Sequence, residues 1–295
     1  MRIAFLGTAE LGAQTLAALA GQPGIEVEVV VTQPDRPAGR GRRLASPPVA
    51  AAARELGLRL RQPETAGELE DALRGAERAA LVAYGRLIRE PVLSALPFLN
   101  LHPSALPRWR GAAPVERAIM AGDAETAVSV IRLVEELDAG PVLAFAPFPI
   151  GERDDAGDVF ARAVDLGAPL LADALLGGLA GDPQVGEPTY ARKIEPGDRA
   201  IDWTRPAAEL DRQVRGLAPH IGARTALDGR PATIWRARPL DEELGAGDVR
   251  AADGRLVVGA GEGALEVEEL QVAGGRRMAA ADLLRGLREP PRRTA

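Results

Sequence analysis

At 295 residues with a formal net charge of −6, the chain has room for two domains with a core each; its charge argues against indiscriminate nucleic-acid binding but allows a local basic site. It has no cysteine, which excludes disulfides, thiolate nucleophiles and thiolate metal sites. No signal-peptide layout opens the sequence and no uninterrupted apolar run reaches the roughly 20 residues that span a bilayer, so a cytoplasmic protein without membrane segments is expected.

Arg2–Leu6 reads as a short apolar strand, followed by Gly7-Thr8 and a helix over Leu11–Leu19. Ile25–Thr32, rich in valine, reads as a second strand. Beyond it, RPAGRGRR at 36–43 carries Arg36, Arg40, Arg42 and Arg43 and no acid. Ser46 is placed to cap a helix from Pro47 to near Leu56. Leu58–Leu60 then reads as a weak strand, Glu68–Arg74 as a helix, and Ala79–Tyr84 and Phe98–His102 as further strands. This alternation predicts a parallel sheet covered by helices on both faces. Ligands bind such sheets beyond the carboxyl ends of the strands, and Gly7, Tyr84-Gly85 and His102 all fall there.

Thr126–Val134 and Val142–Ile150 read as a strand pair whose connection carries Asp138. A helical stretch follows from near Asp158 to Leu179, interrupted at Gly167 and Pro169. Gly181–Pro196, with its Gly and Pro, suits a linker. A helix over Ala207–Leu217, with Thr204 placed to cap it, precedes short strands punctuated by Asp228-Gly229, Asp253-Gly254 and Gly261–Gly263, the pattern of a small β-barrel. A last helix spans Ala279–Leu287.

The chemistry concentrates in LNLHPSALPRWRGAAP, residues 99–114. Alternate strand residues share a face, so Asn100 and His102 point the same way. An amide can donate to an oxygen gaining negative charge, and an imidazole can move a proton near neutral pH. Together they suit acyl-like transfer. Asp138 reads either as an ordinary turn aspartate or as a partner that orients the imidazole. His220 lacks such company. The arginine run is either a solvated surface segment or a phosphate-following loop. GTAELG lacks the spacing of a dinucleotide fingerprint, no Walker loop occurs, and no paired histidines suggest a metal.

Five stretches resemble the methionyl-tRNA formyltransferase family: TQPDRPAGRGRRL at 32–44, VAYGRLI at 82–88, NLHPSALPRWRGAAP at 100–114, LDAGPVL at 137–143 and IDW at 201–203. The resemblance implies an α/β chain with a Rossmann-like formyltransferase domain over 1–180, a linker over 181–199 and an OB-like, tRNA-binding β-barrel domain over 200–295. It implies Asn100, His102 and Asp138 as the catalytic set and Ser104, Ala105, Leu106 and Pro107 as the folate-contacting turn. Arg36, Arg40, Arg42 and Arg43 would face tRNA. The expected reaction moves a formyl group from 10-formyltetrahydrofolate to the α-amino group of methionyl initiator tRNA, for translation initiation, by a monomer without a metal. A formyltransferase acting on a nucleotide amino sugar, a formyl-folate hydrolase and an RNA-binding protein with a decayed site are the rivals. Where the family often reads Gly-Leu-Asp-Thr-Gly-Asp, this chain reads Glu136-Leu137-Asp138-Ala139-Gly140-Pro141. Ala105, Leu11 and residues 218–221 also depart from the family.

Overall fold

The structure is a computed structural model that describes residues 1–38 and 43–294. The first part of the chain forms β1 (Arg2–Gly7), α1 (Glu10–Ala20), β2 (Glu26–Val31), β3 (Arg36–Ala38), β4 (Arg43–Ala45), α2 (Pro48–Glu55), β5 (Leu60–Arg61), α3 (Ala66–Ala72), β6 (Arg78–Val82), α4 (Val92–Ala95) and β7 (Phe98–His102). Next come β8 (Arg110–Gly111), α5 (Pro114–Ala121), β9 (Glu125–Arg132), β10 (Val142–Pro149), α6 (Ala156–Leu176) and β11 (Tyr190–Ala191). The remainder forms α7 (Ala207–Leu217), β12 (Ala223–Leu227), β13 (Arg230–Leu240), β14 (Val249–Ala252), β15 (Arg255–Gly259), β16 (Ala264–Val272), β17 (Met278–Ala279) and α8 (Ala280–Gly286).

Two units emerge. The first comprises Met1–Pro114, Glu125–Phe148 and Phe160–Ala191; the second comprises Val115–Ala124, Pro149–Val159 and Arg192–Ala295. The first is built on a seven-stranded sheet in the order β10-β9-β7-β6-β1-β2-β5. The pairs from β7 through to β5 are parallel, and β9 runs antiparallel to β7. Ile3, Ala4, Phe5 and Leu6 are fully buried, so both faces of β1 are covered, as expected of an unalternating apolar strand in a parallel sheet.

Local chemistry explains where elements begin and end. Thr65 and Glu68 form a reciprocal capping box on α3, which starts the helix two residues before the expected Glu68. Ser46 does not cap α2. Its hydroxyl donates to Asp35 and accepts from Arg54, and α2 begins after Pro47 with proline in its first turn. Thr204 likewise bonds Asp202 instead of capping α7. The helix expected to break at Gly167 and Pro169 is continuous as α6. Proline costs a helix interior about 3 kcal/mol, but α6 buries Val159, Ala163, Ala168, Leu171 and Leu175, and that burial outweighs the lost bond.

In the second unit an antiparallel sheet runs in the order β12-β13-β16-β15-β14, with β17 added beside β16. The small barrel expected there takes this form, with β12 and β14 as end strands. Asp228-Gly229 and Asp253-Gly254 all have positive φ and close two-residue hairpins between Leu227 and Arg230 and between Ala252 and Arg255. One face of the sheet packs Ile234, Leu256, Val258, Leu265 and Leu270 against Leu210, Val214 and Leu217 of α7. Among the described residues, no helix is long and apolar enough to cross a membrane.

Candidate active site at the carboxyl end of β7

Strand order reverses beside β1, with β2 and β5 to one side and β6 and β7 to the other. That is the switch point at which α/β sheets open a crevice. Past it, the Thr8 and Ala9 amides donate to Ala83 O, while Thr8 Oγ1 and Gln33 Nε2 donate to Tyr84 O. Ala83 is held at a φ of 48°, so the backbone leaving β6 takes a sharp, left-handed turn.

On neighbouring β7, alternation sends Asn100 and His102 to one face and Leu99 and Leu101 to the other. Both polar side chains are buried, at 6% and 5% exposure, and Asp138 reaches them at 7%. The Asn100 amide donates to Asp138 Oδ1 at 3.2 Å. Asp138 Oδ2 accepts from the Gly111 backbone amide at 2.8 Å and lies 3.8 Å from His102 Nδ1. His102 Nε2 is 2.9 Å from Trp109 O. A carbonyl only accepts, so Nε2 is the nitrogen that carries hydrogen there. Nδ1 is left to exchange a proton, and a proton on it faces the carboxylate. The three side chains selected from the sequence thus converge, and Asp138 sits both in the turn and beside the imidazole.

That turn is unusual. Asp138 and Trp109 have φ of 49° and 64°, both left-handed, and Gly111 has φ of 119°. Non-glycine residues enter this region at a cost of about 1–3 kcal/mol and cluster at functional sites. Gly111 meets a second demand, because a Cβ there would lie 2.7 Å from Ala191 O. Only glycine brings its amide to Asp138 while β8 pairs with β11.

Ser104, Ala105, Leu106 and Pro107 follow directly. Ser104 is fully buried, its hydroxyl donates to Arg108 O at 2.7 Å, and its carbonyl accepts from Ser129 Oγ. The Leu106–Pro107 bond is cis. The Ser104 hydroxyl thus braces the turn, while Ala105 and Pro107 remain partly exposed. Of the basic run, Arg36 is exposed on β3, and Arg43 lies on β4 opposite Ala38. Arg40 and Arg42 fall outside the described residues. At the base of this hairpin the Asp35 carboxyl is held below its ordinary range by the Gln62 amide first and the Ser46 hydroxyl second. His220 is exposed.

Two partners escaped the sequence reading. Arg110 lies inside the conspicuous Trp/Arg turn, yet nothing in its spacing marks it for Gln184, which accepts from its Nε and Nη2 at 3.1 and 2.8 Å. Gln184 itself sits in the Gly/Pro-rich stretch read as a linker. That stretch is bonded into the first unit: Thr189 O accepts from the Arg110 amide, Thr189 Oγ1 from the Trp109 amide, and Ala191 O from the Ala112 amide.

A family model described as Formyl transferase matches residues 1–175, and one described as Formyl transferase, C-terminal domain, matches residues 193–288. A methionyl-tRNA formyltransferase of Paracoccus denitrificans (strain Pd 1222) is 44% identical over 304 residues, covering 99% of each chain. The chain belongs to the methionyl-tRNA formyltransferase family. Solved structures agree in fold. One is a methionyl-tRNA formyltransferase from Clostridium thermocellum, with a TM-score of 0.62 at 12% identity over 93% of this chain and 100% of that one. Another is HypX from Aquifex aeolicus in complex with tetrahydrofolic acid, with a TM-score of 0.67 at 19% identity. It matches 96% of this chain and 47% of its own, so the present chain spans about half the length of HypX.

Proposed function

We propose that the protein transfers the formyl group of 10-formyltetrahydrofolate to the α-amino group of methionyl initiator tRNA, with Asn100, His102 and Asp138 as its catalytic set. The observation that carries this reading is the buried convergence of amide, imidazole and carboxylate at the end of β7. The near full-length identity to enzymes of that name supports the acceptor.

The donor set suits transfer between two nitrogens. The neutral methionyl amine adds to the formyl carbon and makes a tetrahedral centre with a negative oxygen. Asn100 gives one amide hydrogen to Asp138 and has a second for that oxygen. A positioned donor of this kind lowers such barriers by about 2.7–4 kcal/mol. His102 passes a proton to the departing folate nitrogen, its ring set by Trp109 O at Nε2 and by the nearby Asp138 carboxylate. The carbon–nitrogen bond to folate then breaks, and the proton lost by the amine leaves to solvent or through the same ring. Ser104 forms no acyl intermediate, because its hydroxyl is committed to Arg108 O. The turn over 104–107 is assigned to folate, the arginines of 36–43 to the tRNA acceptor end, and the second unit to the body of the tRNA. The monomeric state and a cytoplasmic setting belong to the same reading.

The deciding experiment incubates the protein with 10-formyltetrahydrofolate and with methionylated initiator or elongator tRNA, then assays N-formylmethionyl product. Formylation of initiator tRNA is the expected result. Formate release without an amine, or transfer only to a nucleotide amino sugar, would overturn it.

A further inference from the structure

The geometry points to Gln184 as a positioning residue that, with Arg110, clamps the Asp138 turn in its working conformation; this rests on the reading of Asp138 given above. Gln184 Nε2 donates to the carbonyl of Asp138 at 2.7 Å and to that of Gly140 at 2.9 Å. Its oxygen accepts from Arg110 Nε and Nη2. A primary amide has two donor hydrogens and two acceptor lone pairs, and here all four are used. Arg110 is 8% exposed and completes its own anchoring on Glu136, at 3.0 Å.

The clamp acts on both sides of the site. Gln184 grips the carbonyls on either side of Ala139, fixing the left-handed Asp138 from which the carboxylate projects. Through Arg110 it also fixes the residue between Trp109, whose carbonyl holds His102, and Gly111, whose amide holds Asp138. Packing backs one side of the turn, where Asp138 and Gly140 are buried and a Cβ on Gly140 would lie 1.7 Å from Arg132 O. The other side is open: Arg110, Ala139, Pro141 and Gln184 border a cavity of about 430 Å³, and Leu137 is 45% exposed. On that side hydrogen bonds hold the strained turn. Glu136 stands where the family often has glycine, and it braces the same arginine.

Two substitutions separate this role from general support. Gln184→Leu removes all four bonds. Gln184→Glu keeps oxygens for Arg110 but removes both donors to the Asp138 and Gly140 carbonyls. Both should lower kcat for formyl transfer by about 10- to 100-fold with the KM for each substrate within about twofold, the scale expected of a small misplacement of a reacting group. In an Asp138→Asn background, Gln184→Glu should cost less than about threefold, because residues that act as one unit are not additive. Wild-type kcat in Gln184→Glu, or fully additive losses, would overturn the clamp. Amide hydrogen exchange gives a readout that does not depend on activity: the amides of 138–141 should exchange at least about tenfold faster in Gln184→Glu, and unchanged protection would also overturn it. A wild-type protein that fails to formylate tRNA would sink the proposed function alone, leaving exchange to decide the clamp.

Discussion

Asn100 and Glu116 are two partly satisfied polar side chains with opposite consequences. Asn100 gives one amide hydrogen to Asp138, and the proposed mechanism uses the second. Asn100→Ala should therefore lower kcat by about 100- to 1000-fold, while equilibrium binding of formyl-folate and of tRNA changes little. Turnover at the wild-type rate would remove Asn100 from the chemistry. Glu116 follows the site motif on α5, and its Oε2 is buried without a hydrogen-bond partner. Burial first of all raises its pKa from an ordinary 4.5 to about 7, against smaller opposing effects of its own backbone and Arg117. Between those values the folded state holds a proton that the unfolded state has lost, so stability declines as pH rises through the window. The full loss is about 3 kcal/mol above pH 7. Glu116→Gln removes the titration. Denaturant unfolding should show the variant gaining on wild type from pH 5 to pH 8 by about that amount, and a constant difference would refute the buried-acid account.

At the scale of elements, the sheet depends on how closely α6 approaches it. A Cβ on Gly167 would lie 2.7 Å from Leu101 Cδ1 and 2.9 Å from Val128 Cγ1. Leu101 stands between Asn100 and His102 on β7, facing the other way. Gly167→Ala gains about 1 kcal/mol of helix propensity but overpacks the interface at a cost of about 1–3 kcal/mol. Thermal melting should drop by a few degrees and kcat should fall with it. Gly286→Ala, at the open end of α8 where no atom lies within 4 Å, should leave both unchanged, and equal behaviour of the two variants would discard the packing argument. The same contact shows what the sequence could reveal. Strand and helix alternation announced the parallel sheet, and the i, i+2 spacing put Asn100 and His102 on one face. Gly167 and Pro169 looked like breaks because their local cost is visible in sequence, whereas the buried face that overrides it is not. Gln184 was hidden for a related reason. Its partners are backbone carbonyls 44 and 46 residues away, and a carbonyl leaves no trace in residue identity.

Over the whole molecule, acidic side chains outnumber basic ones by 42 to 36, so the mean field repels a polyanion such as tRNA and attraction must be local. Several arginines of the second unit are already neutralised within it. Arg238 and Arg255 both bond Glu266, which they hold below its ordinary range. Arg236 and Arg277 pair with Glu269, and Arg250 pairs with Glu242. The sequence from 36 to 43 has four arginines and no acid. A phosphate contact releases counterions and adds about 0.7–0.9 to the salt dependence of binding. Replacing Arg40 and Arg42 together by alanine should therefore raise the KM for tRNA and flatten its log–log dependence on salt by about 1–2. The KM for formyl-folate should be unmoved. Arg238→Ala, which breaks an internal pair, should leave the slope as it was. An unchanged slope in the double variant would detach the arginine run of 36–43 from tRNA, and a flattened slope in Arg238→Ala would shift the electrostatic contact to the antiparallel sheet.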